Sequence, residues 1–295
     1  MLFETPQAFS DQHRRSVVLF GMSGVGKTRI ANRLREKRWF HYSVDYRIGT
    51  RYMGEHIVDN FKTEAMKSPL LRDLLLTDSI YIASNITFEN LAPLSTYLGK
   101  PGDPARGGIA FEEYVRRQRQ HREAEIAAMR DTGHFIERAQ RVYGYDHFLC
   151  DTSGSLCEVV DPDDVEDPVM SDLARHSAIL YIREEESHTE ELARRFDRDP
   201  KPMYYNEDFL RGVWGEYLRE TGDAPEAVDP DAFIRWAYRR LLSWRGPRYR
   251  AMAARWGYTA TMAEIAAVRD EADFLELMGA VIARRVQDRA ASPSA

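Results

Sequence analysis

Ser16-Val17-Val18-Leu19-Phe20-Gly21-Met22-Ser23-Gly24-Val25-Gly26-Lys27-Thr28 joins five strand-forming residues to a glycine-rich turn that ends in Lys-Thr. The apolar run predicts a buried strand, and the segment from Lys27 to Lys37 predicts a helix. Residues 21–28 carry the spacing of a phosphate-binding loop, in the place between strand and helix that such a loop needs. The glycines allow a tight turn whose N–H groups converge, and the helix start adds its positive dipole end. On this reading Gly21, Met22, Ser23, Gly24, Val25 and Gly26 cradle a nucleotide's phosphates. Lys27 bridges the β- and γ-phosphates, and Thr28 offers its hydroxyl to Mg²⁺, so ATP and Mg²⁺ are the expected ligands. A glycine turn that merely caps a helix is the simpler alternative.

Outward from this unit, Trp39 to Val44 is a second apolar segment ending at Asp45. His147-Phe148-Leu149-Cys150 leads to Asp151, Ala178 to Ile182 reads as an interior strand, and Tyr258 to Met262 is a last candidate strand. Strands alternating with helices indicate an α/β domain around a parallel sheet. An amphipathic helix is expected over Met262 to Val286. A long solvent-facing helix is expected from Phe111 to Met129, with Phe111, Tyr114 and Ile126 inward and its arginines mostly solvated. Ser79 to Ala83 reads as a short strand or a buried helical turn, Gly99 to Gly108 as a loop, and the aromatic segment Tyr204 to Trp244 as a helical packing layer, with an aromatic partner-binding face as the alternative. One domain is expected over residues 1–295, with helical insertions at 50–145 and 203–244 and a disordered tail at 288–295.

The 41 Lys+Arg against 47 Asp+Glu give a net charge of −6, which argues against a general nucleic-acid binder. Mean hydropathy is −0.52, no apolar run is long enough to span a bilayer, and residues 1–15 lack a secretory pattern. Cys150 and Cys157 form neither a disulfide framework nor a zinc pattern, so a cytoplasmic location is expected. Cys150 reads as a small core residue, and His41, His56 and His188 as surface or satisfied core groups.

Asp151, delivered at the end of a strand beside the glycine loop, is positioned to hold Mg²⁺ directly or through water, though an Asp before Thr-Ser-Gly-Ser also suits a turn. Asp45 is placed to orient or deprotonate an acceptor hydroxyl, to bind the metal through water, or simply to open the next helix.

The order of these segments resembles the shikimate kinase family of P-loop small-molecule kinases. Beyond the glycine loop, the progression from Lys27 through Asp45 to Gly54 matches. Ile179-Leu180-Tyr181-Ile182 followed by Thr189-Glu190-Glu191-Leu192-Ala193-Arg194-Arg195 and Lys201-Pro202 looks like a strand and its arginine-bearing lid. Arg245-Gly246-Pro247-Arg248-Tyr249-Arg250-Ala251-Met252-Ala253 looks like the helix before the last strand. The resemblance implies a five-stranded parallel sheet in the order 2-3-1-4-5 with a mobile lid. It implies that Asp45 holds the acceptor hydroxyl, that Arg194 or Arg195 reaches the transferring phosphate, and that Arg245 and Arg122 bind the substrate. Gly154 is left as a backbone contact where the family has a glycine-rich turn, and Lys201 stands where the family's lid has Arg. Residues 55–145 and 205–240 are longer than the family's segments. The expected activity is transfer of the γ-phosphate of ATP to a hydroxyl of a small, anionic metabolite. The alternatives are a regulatory or partner-binding ATPase and, third, a nucleic-acid kinase built on the basic part of Arg116 to Arg130.

Overall fold

The structure, a computed structural model, describes residues 1–35 and 38–291. Its contacts divide the chain into two compact units, one of Met1–Val44, Met129–Arg194 and Arg240–Ala295, the other of Asp45–Ala128 and Arg195–Arg239.

The first unit is built on five parallel strands, β1 (Ser16–Phe20), β2 (Trp39–Ser43), β3 (His147–Asp151), β4 (Ala178–Arg183) and β5 (Tyr258–Thr261), in the order β2-β3-β1-β4-β5. This is the sheet order of a P-loop kinase-like fold, flanked by helices. Val17 to Phe20 are wholly buried, as are Ala178 to Ile182, because helices cover both faces and leave no place for alternating polar residues. Trp39 anchors the far edge. Its ring meets Phe274 edge-on at 5.6 Å, and its Nε1 donates to Glu271 at 2.8 Å. At the other edge Arg284 donates to the carbonyl of Thr259 at 3.2 Å, covering a strand that would otherwise offer bare pairing groups.

Two expectations for this unit change. The C-terminal helix is two helices, Met262–Ala267 and Glu271–Ala291. Thr261 and Glu264 cap the first reciprocally, Val268 leaves helical geometry, and Asp270 accepts from the Asp273 N–H to start the second. Residues 288–291 therefore belong to a helix rather than to a disordered tail, and 292–295 lie outside the described residues. The first helix runs Lys27–Arg35, and its expected end at Lys37 also lies outside them.

The second unit is helical, and its core is aromatic. Phe111 stacks on Trp214 at 4.6 Å, Phe233 meets the edges of Trp214 and Tyr217, and Phe196 stacks on Tyr238 at 3.9 Å. The helix expected to stop at Met129 runs Phe111–Tyr143, and of its expected inward residues Tyr114 is fully buried while Phe111 and Ile126 are half-buried. Arg116, Arg119, Arg122 and Arg130 are exposed, as expected of most of its arginines, while Arg117 lies over the Tyr97 ring at 4.9 Å and pairs with Glu113. The Arg116 guanidinium, joined by Arg117, holds Glu113 down at about 2. Ser79 to Ala83 is neither strand nor buried helix; Tyr81 there is 88% exposed.

One face of that long helix is polar and yet buried. The Tyr114 hydroxyl and the Gln118 amide both donate to the Met203 carbonyl, Gln118 accepts from the Tyr205 N–H, and His121 stacks on Tyr204 at 4.5 Å. Burial holds the His121 imidazole down at about 3, so its 3.6 Å approach to Glu125 is not a charge pair near neutrality. The unfolded chain binds a proton at this residue below about pH 6.5 and the folded chain does not, so the group destabilises the fold as pH falls through that range. His121→Phe should flatten the pH dependence of unfolding free energy between pH 4 and 6 by up to about 1.4 kcal/mol per pH unit, measured by urea titrations of both proteins.

Candidate nucleotide site

The glycine loop leaves β1 and enters the helix Lys27–Arg35 with Gly21, Gly24 and Gly26 all at positive φ. At Gly21 the constraint is spatial as well, since a Cβ would lie 2.7 Å from the Ile182 carbonyl oxygen at the end of β4. Met22 and Val25 are buried and tie the loop to the core. Lys27 arcs back along the loop, 7% exposed, and its ammonium donates to the carbonyls of Gly21 at 2.8 Å and Met22 at 3.0 Å. Its charge is thus fixed inside a turn whose amides belong to the start of a helix, which is a ready anion site.

Parallel pairing of β3 with β1 sets Asp151 opposite Leu19, one residue short of the end of β1. There Asp151 Oδ2 accepts a hydrogen bond from the Thr28 hydroxyl at 2.7 Å. His41 Nε2, from the interior of β2, lies 3.8 Å from the same oxygen, so His41 is a buried neighbour of the site. A hydroxyl and a carboxylate side by side are hard oxygen donors, and Mg²⁺ takes only one or two protein oxygens when phosphates supply others, so Thr28 and Asp151 fit that ion. Among the described residues no group of three or more His, Cys, Asp or Glu side chains is assembled that could hold a metal by itself.

The turn after Asp151 braces the loop. A Cβ on Gly154 would fall 2.3 Å from the Ser23 hydroxyl oxygen and 3.1 Å from the Ser23 nitrogen. The Gly154 carbonyl in turn accepts from the Tyr249 hydroxyl at 2.8 Å. Gly154, expected as a substrate contact, therefore packs against the glycine loop itself.

Arg245 also has a different occupation from the one expected. It is 3% exposed on the helix Pro230–Trp256, and its Nε donates to Glu158 Oε1 at 2.7 Å, with Nη2 reaching the same oxygen. Burial alone would lower its pKa, but the Glu158 carboxylate outweighs this and holds it above the ordinary range. A substrate anion would have to share Arg245 with Glu158. Glu158 escaped the sequence reading, although a lone acid within Leu156-Cys157-Glu158-Val159-Val160 was its signal. Arg248 fastens the same turn through the carbonyls of Cys157 and Val160, both at 2.8 Å. Cys150 and Cys157 are buried free thiols pushed up by burial, Cys157 to about 12, and so are not nucleophiles.

Of the lid arginines, Arg194 is exposed on the helix Glu186–Arg198 and pairs with Glu191 at 3.2 Å. His188, on the same helix, approaches Ser23 of the loop, a contact the sequence did not mark. Arg195, Asp45 and Arg122 belong to the second unit. Arg195 is exposed, and Asp45 is half-buried in the first turn of Val44–Arg47, the helix-opening alternative. Arg122 is exposed and lines a cleft of about 340 Å³ with Arg119, Glu123, Asn206, Glu207 and Asp208. The structure thus brings together Lys27, Thr28, Asp151 and the loop residues, with Gly154 against them.

Two substitutions test this geometry. Gly154→Ala should displace Ser23 and weaken MgATP binding by about tenfold in calorimetry, the scale of 1–3 kcal/mol for overpacking, and adding Ser23→Ala should restore most of it. Glu158→Gln should cost about 3–5 kcal/mol of unfolding free energy in urea by leaving Arg245 buried without its counter-charge, and the Glu158→Gln/Arg245→Met pair should cost less than the single change.

No family model matches the chain, and no curated protein does. Among solved structures it is similar to a crystal structure of shikimate kinase from Bacteroides thetaiotaomicron, at 14% sequence identity over 93% of this chain and 95% of that one, with a TM-score of 0.38. The fold rests on the strand order and the glycine loop, not on this likeness.

Proposed function

We propose that the protein is an ATP-dependent phosphotransferase that moves the γ-phosphate to a hydroxyl of a small metabolite. The observation that supports this most directly is the fixed Lys27 ammonium inside the glycine loop, with the Thr28 hydroxyl bonded to Asp151 beside it. The loop amides and Lys27 bind the triphosphate and stabilise the charge that shifts onto the β–γ bridging oxygen as its bond to the γ-phosphorus breaks. The acceptor oxygen bonds to the γ-phosphorus as that bond breaks, and the hydroxyl proton passes to a carboxylate or to water. Thr28 and Asp151 would hold Mg²⁺, which when bound offsets the phosphate charge. The roles of Asp45 toward the acceptor, of Arg194 and Arg195 toward the phosphate, and of Arg122 toward the substrate rest on the sequence resemblance. Because Arg245 is matched by Glu158, an anionic acceptor is supported less by that arginine than the sequence suggested.

A second reading, a regulatory or partner-binding ATPase, is favoured by one surface feature. The helix Pro69–Leu76 has no buried residue, and Leu70 and Leu76 are 69% and 70% exposed. A run of exposed leucines suits a protein partner. Among the described residues no helix is long and apolar enough to cross a membrane.

ATP turnover measured with and without a panel of hydroxylated metabolites separates the two. ADP release with a phosphorylated product supports the phosphotransferase, and stimulation by a protein without phosphate transfer supports the ATPase. Lys27→Ala should lower turnover at least a hundredfold in either case, the scale of one lost charge contact to the transferring phosphate. Turnover unchanged in that variant would refute both.

A further inference from the structure

Ser23 is held from two sides, and only one of the two contacts belongs to the turn after β3. Gly154 packs on its nitrogen and hydroxyl. On its carbonyl side stands His188, from the early part of the helix Glu186–Arg198 that follows β4. His188 Nε2 lies 3.4 Å from the Ser23 carbonyl oxygen, and its Cε1 lies 3.4 Å from the point where a Cβ on Gly24 would fall. Leu192, one turn on, reaches the same point at 3.7 Å.

A carbonyl oxygen only accepts, so in this contact Nε2 carries the hydrogen. The peptide joining Ser23 to Gly24 is planar and trans, so its N–H points opposite to its C=O. A carbonyl turned toward His188 therefore directs the Gly24 N–H away from that helix. The orientation needs a restraint. Gly24, at φ +81°, has no Cβ to oppose rotation of the peptide, and both Ser23 and Gly24 are exposed, so little packing holds the plane.

We propose that His188 is a positioning residue for nucleotide phosphates: by donating to the Ser23 carbonyl it locks the Ser23–Gly24 peptide with the Gly24 N–H turned into the loop as a phosphate donor. This rests on the nucleotide-binding reading of the loop. The imidazole acts through the peptide plane and does not touch the base. The 3.4 Å separation shortens when a phosphate oxygen accepts from the Gly24 N–H, because the two hydrogen bonds polarise the same peptide group.

The test uses the full chain, with MgATP and magnesium tripolyphosphate as probes in calorimetry. His188→Ala should raise the Kd for both by about five- to tenfold, the loss of one neutral hydrogen bond. His188→Gln, whose amide can donate to the same carbonyl, should recover most of the affinity, and the thermal midpoints of the three proteins should agree. Equal affinity of wild type and His188→Ala for both probes overturns the proposal. So does a loss confined to MgATP, which places His188 at the nucleoside instead, or a failure of the Gln variant to recover at an unchanged midpoint. A wild-type chain that binds neither probe overturns the nucleotide reading itself, which a normal wild type with an unaffected variant does not.

Discussion

The register of β1 between β3 and β4 is the constraint on which the site depends. Leu19 opposite Asp151 and Phe20 opposite Tyr181 bring the ends of three strands to one edge, where the glycine loop begins. In a sheet buried on both faces a slip of one residue would turn every side chain over into space shaped for its neighbour, so the close packing of Val17 to Phe20, rather than an apolar–polar alternation, holds this register. The position of a carboxylate next to Thr28 is thus a product of hydrophobic packing several residues away. The loop adds its own requirement, because the Ile182 carbonyl leaves no room for a side chain at Gly21.

Two acid-containing pairs in the first unit show how differently charge can be used. Arg245 and Glu158 are both almost wholly buried and satisfy one another, and Arg248 pins the turn that carries Glu158. Such a pair fixes structure and is expensive to break. The Thr28–Asp151 pair is partly buried and sets an acid against a hydroxyl, with His41 Nε2 3.8 Å from the same carboxylate oxygen. That arrangement suits a divalent ion, whereas the first does not.

The sheet was legible because its evidence is local. Each buried strand is an apolar run of five or so residues, and the glycine loop has fixed spacing after one of them. The strand order followed from resemblance, and the pairing bears it out. What escaped depends on contacts far apart in the chain. Glu158 meets Arg245 across 87 positions, and His188 meets Ser23 across 165, so neither partner marks the other in sequence. Some misses were readable. Arg269-Asp270-Glu271 is a helix start, with Asp270 as cap and an acid in the first turn, and it divides what had looked like one helix. The run Ser79 to Ala83 misled because apolar composition without pairing or cover specifies nothing, and Tyr81 is left in solvent. For Asp45 and Arg122 the sequence offered roles that depend on the acceptor, and the fold of their own unit places Asp45 in a helix turn and Arg122 in an open cleft.

The two cysteines lie within the layers that hold the fold together, Cys150 in a central strand and Cys157 in the turn clasped by Arg248 and Tyr249. A maleimide or iodoacetamide has no path to either sulfur while those layers are closed. Alkylation therefore becomes a clock for opening. Modification at Cys157 ahead of Cys150 would record the turn detaching before the sheet separates, and simultaneous modification would record the two coming apart as a single cooperative body.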